Sequence, residues 1–231
     1  APRRQACCSQ ELVEHQQDFA VKLELAPVLN LLHSAQAATL ATQSLQMPGY
    51  PYATVVPNVL DEHHRPILLI SALAEHTKNL LADNRVSISV TESGIANVQD
   101  GQRLTLVGDA EQFEPSSELI ARYLRYVPAA EQYLALDFMF FRVVPKRLRY
   151  IGGVGKMGWV EVDTLASAPR LELIDEAQLL EEAATVAPRN VSLLGIDPYG
   201  IDYVADGFRD RQVLGGENPK AALLAAVSKL S

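Results

Sequence analysis

Pro66-Ile-Leu-Leu-Ile-Ser-Ala-Leu-Ala-Glu-His-Thr-Lys-Asn-Leu-Leu81 is the stretch on which the reading of this chain turns. Ile67 to Ile70 is a continuous apolar run of strand length that stops at Ser71. Glu75 to Leu81 then reads as a short helix ending near Asp83-Asn84. Val86-Ser-Ile-Ser-Val90 alternates with period two, as a half-buried strand does. A strand feeding a short helix that carries hydroxyl, imidazole and ammonium groups suits a phosphate. The first N–H groups of a helix are unpaired, and its dipole favours an anion there. Thr77 could donate a hydrogen bond and Lys78 a charge. The same residues also describe an N-capped surface helix with a solvated lysine, and the residues alone leave both readings open.

Outward from this stretch the chain is rich in strands. Ala37–Thr42 and Tyr52–Leu60 precede it, with Pro48-Gly49 marking the turn between them and Pro57 pointing to an edge position or a bulge. Gln102–Phe113 alternates over a long span, the clearest strand pattern in the chain. Pro115-Ser-Ser-Glu118 opens a helix to Tyr126, with Ser116 placed to cap it. Phe138–Val144 and Arg147–Ile151 read as two strands about a Pro145-Lys146 turn. Few helices lie between these strands, which predicts a mainly β, barrel-like domain over residues 1–168. A shift to small residues at Ala166-Ser-Ala-Pro169 marks a linker. Beyond it, 169–231 reads as a small α+β domain: a helix from Asp175 to Thr185, strands at 191–196, 201–205 and 208–214, and a last helix from Pro219. Nearer the start, Glu11–Leu23 reads as a surface helix, and Pro27 opens a second one ending at His33.

The 231 residues are 48% hydrophobic and 21% charged, as expected of a globular protein with a sizeable core. Twenty basic residues against 28 acidic ones give a net charge of −8, which argues against nucleic acid or a membrane surface as partner. No apolar run approaches the roughly 20 residues that span a bilayer. No apolar signal core comes after Arg3-Arg4, and Cys7 and Cys8 are adjacent with no CxxC elsewhere. These features point to a reducing compartment and a cytoplasmic location.

Gly153-Val-Gly-Lys-Met-Gly158 satisfies the GxGxxG pattern, but Trp159-Val-Glu-Val162 after it reads as extended and no βαβ unit surrounds it. The dinucleotide reading is therefore rejected. The glycines better suit a sharp turn or close approach to a ligand or partner chain. Lys156 and Trp159 could touch that ligand, although a tryptophan covering the core fits equally. His33 reads as a partner-satisfied helix-end histidine. His63 and His64 read as a solvated turn whose side chains diverge. No nucleophile elbow or triad is visible, and no metal site is expected.

Gly49–Pro57, Leu69–Asp83, Arg103–Gly108 and Tyr150–Gly155, in that order, resemble blocks of the pyridoxamine 5′-phosphate oxidase-like superfamily, and more narrowly its heme-utilisation branch. The resemblance covers residues 28 to 162, and residues 170 to 231 are similar to a shortened form of that branch's C-terminal domain. It implies a split β-barrel that forms a homodimer with two FMN sites at the interface. Carried onto this chain, Thr54, Ser71, Thr77 and Lys78 would grip the phosphate, with His76 beside them. The oxidases proper place an arginine near Thr54, so vitamin oxidation is not implied. Heme-binding members place a histidine where this chain has Gly158, so heme ranks as the alternative to FMN. The resulting expectation is a small flavin-dependent oxidoreductase acting on a small molecule. Its alternatives are a heme-binding or heme-degrading protein and a non-enzymatic barrel dimer.

Overall fold

A computed structural model describes residues 23–153, 156–215 and 220–230. Cys7, Cys8 and nearly all of the Glu11–Leu23 segment lie outside the described residues, as do Val154 and Gly155 of the glycine-rich turn.

Helix α1 (Leu25–Ser34) is followed by β1 (Ala37–Gln43), β2 (Pro51–Pro57), β3 (Val59–Leu60) and β4 (Pro66–Ser71). Next come α2 (Glu75–Ala82), β5 (Arg85–Thr91), β6 (Arg103–Gln112), α3 (Ser117–Tyr126), a 3-10 turn at Pro128–Tyr133, β7 (Phe138–Ile151) and β8 (Met157–Val160). The strands form one antiparallel sheet in the order β2-β1-β5-β6-β7-β4-β3, with β8 added beside β7. This is the curled, mainly β split barrel with helices that the sequence predicts. No helix among the described residues is long and apolar enough to cross a membrane.

The apolar run in β4 is explained by burial on both faces. Leu68 and Ile70 point into the barrel core with Leu40, Ile88, Leu106 and Phe141. Ile67 and Leu69 point the other way, into a second cluster with Leu119, Tyr123 and Phe140. In β6, by contrast, only one face is covered: Leu104, Leu106 and Ala110 are buried while Thr105 and Val107 are exposed. Ser116 caps α3 by accepting from the Leu119 N–H at 3.3 Å.

Two strand readings need correction. Tyr52–Leu60 is not one strand but β2 and β3, because Asn58 leaves the sheet. Its side-chain amide donates to the carbonyls of Leu32 (2.7 Å) and Ala35 (2.9 Å), tying the end of α1. Pro57 does sit on the sheet's edge strand. Likewise Phe138–Ile151 is a single strand rather than two. Val107 pairs with Arg147 and Gly108 with Pro145, so Lys146 is the extra residue of a bulge, not part of a turn. Proline has no N–H to give the ladder, and the bulge removes the need for one. Gly108 permits the close approach: a Cβ there would lie 2.2 Å from the Val144 carbonyl oxygen.

After β8 come α4 (Val162–Ala166), α5 (Leu173–Ala184) and a three-stranded sheet of β9 (Val191–Asp197), β10 (Gly200–Ala205) and β11 (Phe208–Val213), in the order β11-β10-β9. Helix α6 (Lys220–Val227) completes a separate core with Leu180, Ile196, Ile201 and Leu223.

Candidate functional site

Four of the seven residues named as candidate cofactor contacts, Ser71, His76, Thr77 and Lys78, lie together at the end of β4 and the start of α2, while Thr54 lies mid-way along β2. Helix α2 is docked on the end of β1 through Asn79, which is wholly buried. The Asn79 amide donates to Thr42 Oγ1 at 3.0 Å, and its oxygen accepts from the Leu45 N–H at 3.0 Å. Ser71 ends β4 just before that helix, and its hydroxyl accepts from the Leu73 N–H at 3.2 Å. Thr54 on β2 faces Leu40 of β1, two residues from the Thr42 that anchors α2. The helix start carries no side-chain cap: Ala74 stands at the capping position, and Glu75, His76 and Thr77 form the first turn. Lys78 is exposed and His76 half-buried. Partial burial lowers the His76 pKa from its ordinary value, so the ring is held neutral at neutral pH.

Thr77 distinguishes this site from an ordinary surface helix. It has no exposed surface, and its hydroxyl finds no hydrogen-bond partner among the described residues. A buried hydroxyl left unpaired costs about 1–3 kcal/mol. An uncapped helix start, an orphaned hydroxyl and an exposed ammonium together form a donor set suited to a phosphate. The residues present therefore fit the phosphate of FMN.

Lys156 and Trp159 lie elsewhere. Ser71 pairs with Phe138 at one end of β7, whereas Trp159 pairs with Arg149 near the other. Those two β7 positions are eleven residues apart, or roughly 36 Å along the strand at about 3.3 Å per residue. Within one chain the two groups do not meet. Trp159 does not cover the core; it is 43% exposed, with the Arg147 guanidinium 3.5 Å from its ring centre. Lys156 borders a cleft of about 570 Å³ with Glu92, Gln102 and Tyr150.

A family match falls on these same elements: residues 27–152 fit the family described as pyridoxamine 5′-phosphate oxidase. The chain belongs to that family. Within it, the likeness is to the heme-utilisation branch. The non-canonical heme oxygenase HOZ, chloroplastic, of Arabidopsis thaliana is 32% identical over 147 residues, covering 62% of this chain and 45% of that protein. The chain thus matches less than half the length of that relative. A heme binding protein from Mycobacterium smegmatis is 26% identical over 90% of this chain and 96% of its own, with a TM-score of 0.59. The Agrobacterium tumefaciens protein Atu2129, of unknown function, shares the fold at 24% identity, covering 91% of this chain and 97% of its own, with a TM-score of 0.70.

A second polar constellation, missed in the sequence, lies where α1, the β3–β4 turn and the C-terminal sheet meet. His64 is not solvated. It is 2% exposed with φ of 60°, and the turn drives it inward while His63 points out to Arg170. Its Nε2–H donates to the Pro169 carbonyl at 3.0 Å, so its Nδ1 accepts from His33 Nε2–H at 2.9 Å. That leaves His33 Nδ1 facing Asp197 at 3.5 Å and Asp202 at 3.9 Å. Burial, then the Arg211 charge, hold His33 well below its ordinary pKa; burial also lowers His64.

His33, Asp197 and Asp202 are close enough to suggest a cation site. Arg211 already bridges both carboxylates, at 2.8 Å and 3.1 Å, so the trio is a filled ion-pair cluster. Beside it, Glu176 pairs with Arg122 and with Arg125 and accepts from the Ile196 N–H. Only adjacency in three dimensions reveals this group, because its members span residues 33 to 211.

Proposed function

We propose that this chain binds FMN as a homodimer and acts as a small flavin-dependent oxidoreductase. The observation that carries the reading is the partnerless, buried hydroxyl of Thr77 at the uncapped start of α2, beside exposed Lys78. Thr54, Ser71, Thr77 and Lys78 would hold the phosphate, with His76 at its side. The bound flavin supplies the hydride or electron chemistry, and the protein binds and orients it. Pairing two chains is part of the reading, because Trp159 on β8, with Lys156 just before that strand, pairs with β7 too far from the Ser71 end to reach the same flavin in one chain. A partner copy is the means of bringing them there. No side chain is assigned as acid or base.

A second reading, heme binding in iron utilisation, is favoured by the relatives. One is a heme oxygenase and another a heme binding protein. His76 is the ligand it would require, since a neutral, half-buried imidazole is competent to bind iron. The absorbance spectrum of the purified protein separates the readings, with flavin bands expected rather than a Soret band.

Titration then tests the phosphate grip. Lys78→Ala should weaken FMN roughly 10- to 150-fold through loss of a charge-assisted bond, while riboflavin, lacking the phosphate, binds both proteins alike. Unchanged FMN affinity would make Lys78 a solvated surface residue. A hemin titration giving a one-per-chain Soret shift that His76→Ala abolishes would favour heme instead.

A further inference from the structure

A cleft of about 680 Å³ runs between the barrel's edge strand and the C-terminal sheet, at the opposite end of β1 from the α2 docking contact. Its walls are apolar, formed by Val55, Pro57, Val127, Leu194 and Val204. Two guanidinium groups, Arg125 and Arg209, also line it. Volume, apolar lining and a few convergent polar groups are the properties of a small-molecule site.

Beside the cleft, guanidinium groups outnumber the carboxylates that pair with them. Arg122, Arg125, Arg209 and Arg211 bring four cations to this junction. Glu176, Asp197 and Asp202 bring three anions. The adjoining His33 and His64 contribute no charge, because burial favours their neutral forms. Glu176 is shared between Arg122 and Arg125, and Arg211 takes both aspartates. Arg209 is the cation left over: no carboxylate among the described residues lies within ion-pair distance of it. Its Nη2 donates to the His33 carbonyl at 2.7 Å, its guanidinium lies 4.7 Å from the Tyr126 ring centre, and its buried Nε has no partner among the described residues. The Tyr126 hydroxyl is itself committed to Asp202 at 2.7 Å. A partly buried cation without a counter-ion is costly, and a carboxylate entering with a ligand would relieve that cost.

We propose that this cleft binds an amphiphilic monocarboxylate, its apolar body against the valine-lined walls and its carboxylate on Arg209 and Arg125. None of the residues proposed to hold the FMN phosphate lines the cleft, so the site stands or falls independently of the flavin reading. The occupant's body could be a flexible alkyl chain or a flat aromatic group, and two probes distinguish them.

The test is calorimetric titration of the purified full chain with dodecanoate, with 1-pyrenebutyrate, and with dodecanol as the uncharged twin. Expected is saturable binding of a carboxylate at one per chain, about tenfold or more tighter than the alcohol, as one charge-assisted bond requires. Arg209→Gln and Arg125→Gln should each remove about that factor for the carboxylate and leave the alcohol unchanged. Should Arg209→Gln fail to fold for want of its bond to the His33 carbonyl, Arg125→Gln carries the comparison. Val204→Trp, which fills the cleft, should abolish binding of the probes while FMN affinity stays at the wild-type value. Failure of both carboxylates to bind saturably, equal affinity for acid and alcohol, or glutamine variants that bind as wild type would each overturn the proposal.

Discussion

Thr77 lies wholly inside the protein with a hydroxyl that meets no partner among the described residues, and in the FMN reading proposed above that hydroxyl is a phosphate donor. Thr77→Val keeps the branched shape and deletes the orphan. Without FMN the variant should therefore be more stable, by about 1 kcal/mol, since an unmade buried hydrogen bond costs about 1–3 kcal/mol. FMN affinity should drop at the same time, by about tenfold. Urea unfolding read beside a flavin titration checks both, and a loss of stability without FMN would mean the hydroxyl has a structural partner. The histidine pair gives a second outcome at this scale. Both folded pKa values lie below the ordinary 6.5. Below about pH 6.5 the unfolded chain binds protons that the folded one refuses, so stability falls as pH falls, by up to about 1.4 kcal/mol per pH unit for each histidine. Asparagine tolerates the left-handed backbone of His64. His64→Asn should consequently flatten the loss of stability between pH 7.5 and 5, measured by denaturation at each pH. An unchanged slope would locate the acid sensitivity elsewhere.

At the scale of elements, β7 holds the barrel together by pairing with β6, β4 and β8. Its bulge at Lys146 depends on Gly108 across the ladder. A side chain at Gly108 meets backbone, the Val144 carbonyl oxygen at 2.2 Å, and backbone in a long strand has little room to move. Gly108→Val is expected to destabilise the protein by about 1–3 kcal/mol, the usual cost of overpacking. Val107→Thr, one residue along and exposed, should stay within about 0.5 kcal/mol of wild type. Equal midpoints for the two variants in chemical denaturation would show that the ladder opens there at little cost.

For the whole molecule, the C-terminal unit is bound to the barrel by polar groups rather than resting beside it. Glu176 neutralises Arg122, which is 3% exposed and whose Nε donates to the Leu60 carbonyl at 2.8 Å. The Arg211 Nε donates to the Asn30 side chain at 2.8 Å, and the Arg125 Nε to the Leu194 carbonyl at 2.8 Å. Because every proposed phosphate contact precedes residue 80, the unit is not expected to touch FMN. Cutting at Ala168 would nonetheless strip Arg122 of its counter-ion, and breaking such a buried pair costs about 3–5 kcal/mol. Glu176→Gln isolates that effect in the full chain. Thermal or urea unfolding should show a loss of that order with FMN affinity retained at temperatures where the variant is folded; a loss below about 1 kcal/mol would mean the arginine reaches water instead. Light scattering at micromolar concentration is expected to give the mass of two chains, and a monomer would remove the shared flavin site.

The barrel was legible in the residues because its signals are local. Alternation over Gln102–Phe113, the doubly apolar Ile67–Ile70 and the Ser116 cap each depend on neighbours a few positions away, and each element formed where those patterns lie. The stretch proposed to hold the phosphate stands out in the sequence for the same reason, since Ser71, His76, Thr77 and Lys78 are consecutive or nearly so. Tertiary structure alone decided the rest. The Pro145-Lys146 pair has the local signature of a turn, but pairing with β6 and β4 on the two sides of it draws the strand straight through and leaves a bulge. His64 sits in a polar turn and is nonetheless buried, because α1 and the chain at Pro169 close over it. The separation of Trp159 from Thr77, and the counting of four guanidinium groups against three carboxylates, exist only once the chain is folded. Charge balance and burial are sums over neighbours in space, and residues 33, 64, 122, 176, 202 and 209 become neighbours only there.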